Sequence, residues 1–208
     1  MSEAETEAGA LKLVGGRLSL DFANTIDWHE SEDPADHLSD YGALLDWSEH
    51  AGTLAAAQAQ ALRHGAAAEP EAAQAVLARA VALREALYRV FLAVTAGTPP
   101  APDDMRLVNE ELARALRHLQ LAFAGEGMSW RWPQGEDALE RVLWPLVRDA
   151  ADLLTSEQVE RVKRCDGHHC SWLFLDTSRN RSRRWCSMED CGNRAKARRY
   201  YRRQRTEQ

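Results

Sequence analysis

The chemistry-bearing residues of this chain crowd into one short stretch. All four cysteines lie within 27 residues, as Cys165-x4-Cys170 and Cys186-x4-Cys191, with fifteen residues between the pairs. With no export signal in view the expected compartment is cytoplasmic and reducing, where clustered thiols point to metal rather than to disulfide staples. Each close pair can present two thiolates from a tight turn, and the loop between them can close the pairs around one tetrahedral zinc ion. Four cysteines leave no position open for water, so the zinc is expected to be structural. It would supply on the order of 10 kcal/mol to a tail with little core of its own. His168 and His169 leave an alternative open: either can replace a cysteine ligand, or both can be loop residues or donors to the sulfurs.

Charge divides the chain at the same place. The 26 Lys and Arg against 32 Asp and Glu give a net charge of -6. Residues 1–160, however, carry 12 basic and 27 acidic side chains, and residues 161–208 carry 14 basic and 5 acidic. A body of -15 therefore precedes a tail of +9. Subtracting the two charges of a zinc tetrathiolate leaves the tail at about +7. A helix starting near Asp190 or Cys191 brings Arg194, Arg198, Arg202 and Arg205 together, and Lys196, Arg199 and Arg203 widen the arc. Ala197, Tyr200 and Tyr201 share the remaining side and are expected to pack on the zinc module. Arg179, Arg181, Arg183 and Arg184 form a second basic cluster between the cysteine pairs. Arginine forks on a stiff platform are a nucleic-acid footprint, with DNA the expected partner and RNA or an acidic protein surface the alternatives. Asn193 can contact a base or cap the helix. The acidic body is expected to repel DNA and shield the tail.

Here the residues resemble a known family. Cys170-Ser-Trp172-Leu-Phe174-Leu-Asp176, Arg184-Trp185-Cys186-Ser-Met188 and Cys191-Gly192-Asn193-Arg194-Ala-Lys196 are similar to the CGNR zinc finger, named for its last cysteine and the three residues after it. Leu18-Ser-Leu-Asp21-Phe22-Ala-Asn24-Thr25 resembles the opening of the ABATE domain that precedes this finger. The resemblance implies a stress-responsive transcription regulator whose finger binds DNA and whose N-terminal domain senses a ligand. The architecture expected is an arm over 1–10, an ABATE-like domain over 11–160 and a treble-clef-like finger with a C-terminal basic helix over 161–208.

The body must position this finger. Leu11–Val14, Gly15-Gly16 and the alternating Leu18, Leu20 and Phe22 predict a first β-hairpin. Ser39 can cap a helix to about His50, and Thr53 one to about His64. An amphipathic helix spans 70–95, with Val76, Ala80, Leu83, Leu87, Phe91 and Val94 in phase. Another opens at Asp103. Residues 119–132 alternate again around Gly125-Glu126-Gly127, a second hairpin carrying Trp130 and Trp132 on one face. Residues 136–154 return to helix, with a break expected at Pro145. Thr155–Gln158 matches a capping box. The fold class is thus α+β, predominantly helical with two hairpins.

No Gly-rich phosphate loop, HExxH or GxSxG occurs, so no enzyme is expected. The polar run Asp21, Asn24, Thr25, Asp27 and His29 leaves an active site there as the rival reading, with the finger as a tether. Asp21 and Asn24 can equally satisfy backbone groups. Trp130 and Trp132 can line an apolar pocket for an unknown small-molecule effector, together with Asp21 and Asn24 as ligand-binding candidates. A homodimer is allowed. No run of eighteen apolar residues predicts a membrane span.

Overall fold

The computed structural model describes residues 11–29, 31–123, 125, 127–133 and 138–206. The expected N-terminal arm, the Glu126 turn position and the start of the helix expected from 136 lie outside them.

The first predicted hairpin is not formed. Residues 11–16 run as an irregular strap, Gly16 turns the chain with φ of 75°, and Leu18–Ala23 coil into a short helix, α1. Ser19 and Asp21 are buried along with Leu20, Phe22 and Ala23. Ser19 bonds Asp149, and Asp21 accepts from the Gly15 N–H at 2.7 Å. A helix sealed on nearly every side has no polar face, so its alternating residues imitate a strand. The first strand pair lies just beyond it: β1 (Ile26–Asp27) runs antiparallel to β2 (Ala35–Asp36).

Helix α2 (Tyr41–His50) is capped by Asp40, which accepts from the Ala43 N–H at 2.8 Å, one residue beyond the expected Ser39. Helix α3 (Ala56–Ala68) begins after Ala55, whose N–H is held by Gln58. Thr53 is not its cap; the hydroxyl donates to the Ser48 carbonyl inside the preceding turn. Helix α4 (Pro70–Thr95) keeps its predicted limits, with proline in the first turn where a missing N–H costs nothing. Its stripe from Val76 to Phe91 is buried. Helix α5 (Pro102–Leu116) crosses α4 antiparallel, tied by Arg79 to Glu111 at 2.7 Å and Arg89 to Asp104 at 2.6 Å. These pairs rotate α5 so that Asp104, Val108, Glu111 and Ala115 face inward, and of the residues expected in apolar phase on this helix (Met105, Val108, Leu112, Leu116 and Leu119) Leu116 is exposed.

The second hairpin is present as β3 (Gln120–Phe123) and β4 (Met128–Arg131). A 3-10 turn over Leu139–Leu143 then gives way to α6 (Trp144–Leu154), the break falling where Pro145 removes a donor. The expected capping box opens only a 3-10 turn, Glu157–Arg161, because the Thr155 hydroxyl donates back to the Ala151 carbonyl at 2.8 Å and Ser156 to Leu153. The chain continues through β5 (Val162–Arg164) and the antiparallel β6 (Leu173–Leu175) to a π-helical turn, Met188–Gly192, and α7 (Asn193–Thr206).

The result is α+β and mostly helical, as expected. Val162, Leu173 and Leu175 belong to the same core as Leu20, Leu83, Leu87 and Leu146. The strand pair that carries the first two cysteines is built into the body.

Candidate metal centre and basic helix

Two devices bring the cysteines together. The β5–β6 hairpin holds Cys165 and Cys170 in its connection, and the turn into α7 holds Cys191 five residues after Cys186. Ser187 caps that turn by accepting from the Asp190 N–H at 3.2 Å. The four sulfurs lie within 4.8 Å of one another, with Cys170 to Cys186 at 3.6 Å and Cys186 to Cys191 at 3.8 Å. A tetrahedral zinc with bonds of about 2.3 Å requires sulfurs about 3.8 Å apart, so the donor set fits the ion.

The surroundings fit as well. Cys165 Sγ accepts the backbone N–H groups of Gly167 and Cys186, each at 3.3 Å, as a thiolate ligand does. A Cβ at Gly167 would stand 2.8 Å from Cys191 Sγ, so the turn closes this tightly only with glycine. Bonds from the Cys170 and Cys186 thiols hold the Cys165 thiol far below its ordinary value. Cys186 is driven up chiefly by Cys165, then by Cys170 and burial. Such a nest cannot hold several thiolates until a cation neutralises them. His168 and His169 are exposed beside the cluster, stacked edge to face at 3.7 Å, and neither is among the clustered donors. The four clustered cysteines fit one zinc ion per chain.

A second network shapes the loop between the cysteine pairs, and sequence reasoning missed its centre. Asp176 is fully buried. It accepts from Lys163 Nζ at 2.7 Å, the Ser178 hydroxyl at 2.6 Å and the N–H groups of Ser178 and Arg183. Burial works against its charge, but Lys163 and Ser178 hold the carboxyl well below the ordinary range. The available signal was Asp-x-Ser, an Asx-turn pattern.

The predicted basic residues separate by position. Arg183 is turned inward: it lies 4.4 Å over the Phe174 ring and donates to the carbonyls of Trp185, Cys186 and Val14. Arg179 and Arg181 are exposed on the loop, Arg181 3.6 Å from Glu160. Arg184 pairs with Asp166 at 2.8 Å and joins Arg198, Arg199, Arg202 and Arg203 in lining a groove of about 460 Å³ against Trp185. Arg194 opens onto a different cavity with Lys12, Trp28 and Trp172. Lys196 is exposed, and Asn193 donates to the Glu189 carbonyl at 3.0 Å. The side chain of Arg205 lies outside the described residues. Ala197, Tyr200 and Tyr201 do not pack on the zinc module; all three are exposed, whereas Ala195 in the first turn of α7 is half-buried.

The body's candidates sit elsewhere and do not form one site. Asn24 is buried and clamps Leu173, donating to its carbonyl and accepting from its N–H, both at 2.8 Å. The amide thereby acts as a strand partner for β6. Asp21 holds Gly15, whose carbonyl accepts from Leu175 at 2.7 Å. Burial pushes the Asp21 carboxyl up to about 6, against the N–H groups of Gly15 and Val14. Trp172 Nε1 donates to Ile26 at 3.1 Å, and Lys12 reaches Asp190 at 2.9 Å. These bonds join body to finger. Trp130 is exposed beneath Arg148, and Trp132 is half-buried against Trp144 at 5.5 Å.

A mostly helical body locked to a four-cysteine, treble-clef-like module defines a zinc-finger protein with a distinct N-terminal domain. Residues 16–157 match the ABATE family, described as "Putative stress-induced transcription regulator", and residues 161–204 match the CGNR zinc finger. The first match covers more than half of the chain, which belongs to the ABATE family. No curated protein matches it. Among the described residues no helix is long and apolar enough to cross a membrane.

Proposed function

We propose that this chain is a zinc-dependent DNA-binding transcription regulator that responds, through its body, to an effector or stress signal. The observation that carries the reading is the groove in which five arginines from α7 and the loop before Cys186 surround Trp185 on a zinc-held base. Planar guanidinium forks match phosphate oxygens two at a time, and several along one groove suit a regularly charged backbone. The signal would reach the finger through the strap and the Asn24 clamp, which touch both parts. The same reading makes the chain no enzyme, since Asp21 and Asn24 hold backbone groups instead of facing a substrate.

The test is selection of bound sequences from a random duplex pool by the full-length, zinc-loaded protein, with RNA of equal length as competitor. Recovery of one enriched duplex motif, lost on zinc chelation, is the expected result. Enrichment of RNA, or equal retention by the chelated protein, would overturn the reading.

A further inference from the structure

The β3–β4 hairpin is placed inside out. Leu121 pairs with Trp130 and Phe123 with Met128 across the strands, so the four share one face. They are 58%, 56%, 71% and 65% exposed, while Ala122 and Ser129 on the opposite face are half-buried. Alternating strands bury their apolar side, and a shift of one residue would exchange the faces. Here the large apolar side chains face outward, with exposed Leu116 a few residues away at the end of α5. An isolated two-stranded ribbon gains little stability, and a contiguous apolar patch of this size marks a contact surface.

We propose that this face is the contact between two copies of the chain, joined by twofold symmetry through Leu121, Phe123, Met128 and Trp130. Area supports a second copy. Aromatic side chains present about 150–250 Å² each, so the patch offers on the order of 500 Å² per copy. Two copies would bury about 1,000 Å², where specific interfaces begin. Charge supports it as well. A body of -15 repels its own kind over most of its surface, but the four patch residues carry no charge. Arg148, which lies 5.7 Å over the Trp130 ring, is itself paired with Asp152 at 2.9 Å. An isologous contact would put two basic helices on one particle.

Sedimentation equilibrium of the full-length, zinc-loaded protein at micromolar concentration, without DNA, tests this independently of the DNA-binding reading. The expected species has twice the chain mass. Phe123→Ser with Trp130→Ser should weaken dimerisation about thirtyfold or more, as loss of central aromatics does. Zinc content and far-UV circular dichroism should not change, because both side chains are exposed. Met128→Lys, on the same face, should do the same through charge. A monomeric wild type would overturn the proposal and leave the patch to another protein. Dimers that survive both variants would overturn it by placing the contact elsewhere.

Discussion

Around α4 the body buries Leu83, Leu87 and Phe91 completely, together with Leu20, Leu146 and Leu153; the finger's own apolar cluster is Phe174 with three of its four cysteines. Apolar area can hold the first region, at about 25 cal/mol per Å² removed from water. It cannot hold the second, which depends on a metal, a buried carboxylate and bonds borrowed from the body. The lesson lies in how the two are joined. Leu173 and Leu175 are core residues of the body and strand residues of the finger, and Asn24 and the strap fasten them. The finger is therefore not a bead on a linker, and residues 161–208 cut free would expose part of the body's core. Shielding of DNA by the acidic body is accordingly a question for the whole chain.

Removing zinc should separate the regions most strongly. Chelation, or Cys191→Ser, forfeits on the order of 10 kcal/mol of metal binding. Metal analysis should fall from one zinc per chain to none, while most helical circular dichroism, which comes from the body, remains. Loss of all helix would mean that the body depends on the finger. Asn24→Ala comes next. It leaves the buried N–H and carbonyl of Leu173 without their side-chain partners, at about 2–4 kcal/mol, read as a lower Tm in zinc-loaded protein. An unchanged Tm would mean that the joint is incidental.

Acid should act on the two regions in opposite directions. The depressed carboxyl of Asp176 stabilises the finger above the ordinary carboxylate range, and that stability is lost as pH falls from this range through the lower value at which the folded carboxyl protonates. The raised carboxyl of Asp21 does the reverse: its contribution is full below its unfolded value of about 4 and is lost as pH rises through about 6. Urea midpoints against pH should therefore lose their acid limb in Asp176→Asn and lose a decline between about pH 4 and 6 in Asp21→Asn. The smallest effect on stability, within about 0.5 kcal/mol, is expected for Arg198→Gln and Arg202→Gln on the exposed helix. Each should nonetheless weaken DNA binding a few-fold and lower the salt slope by about 0.9.

The finger was legible in the sequence because metal ligation demands fixed residue types at fixed spacing. Cys165, Cys170, Cys186 and Cys191, and the helix that follows them, stand where spacing placed them. The long stripe of α4 was legible for the same kind of reason, since one buried face imposes one period. What failed was local pattern under tertiary override. Leu18–Ala23 reads as a strand because its polar positions are buried too, with partners as distant as Asp149. Tyr200 and Tyr201 look like packing residues, but both stand exposed on α7. Arg183 and Arg184 are adjacent and identical in type, yet one is enclosed by carbonyls and the other lines a groove; only the fold distinguishes them.

A salt titration of full-length protein on duplex DNA reads directly whether the zinc-held groove is a DNA site. If the five groove arginines neutralise phosphates, log K should fall against log salt with a slope of about -4 to -5, and zinc chelation should abolish the binding. A slope near zero, or a slope unchanged by Arg198→Gln with Arg202→Gln, would contradict it.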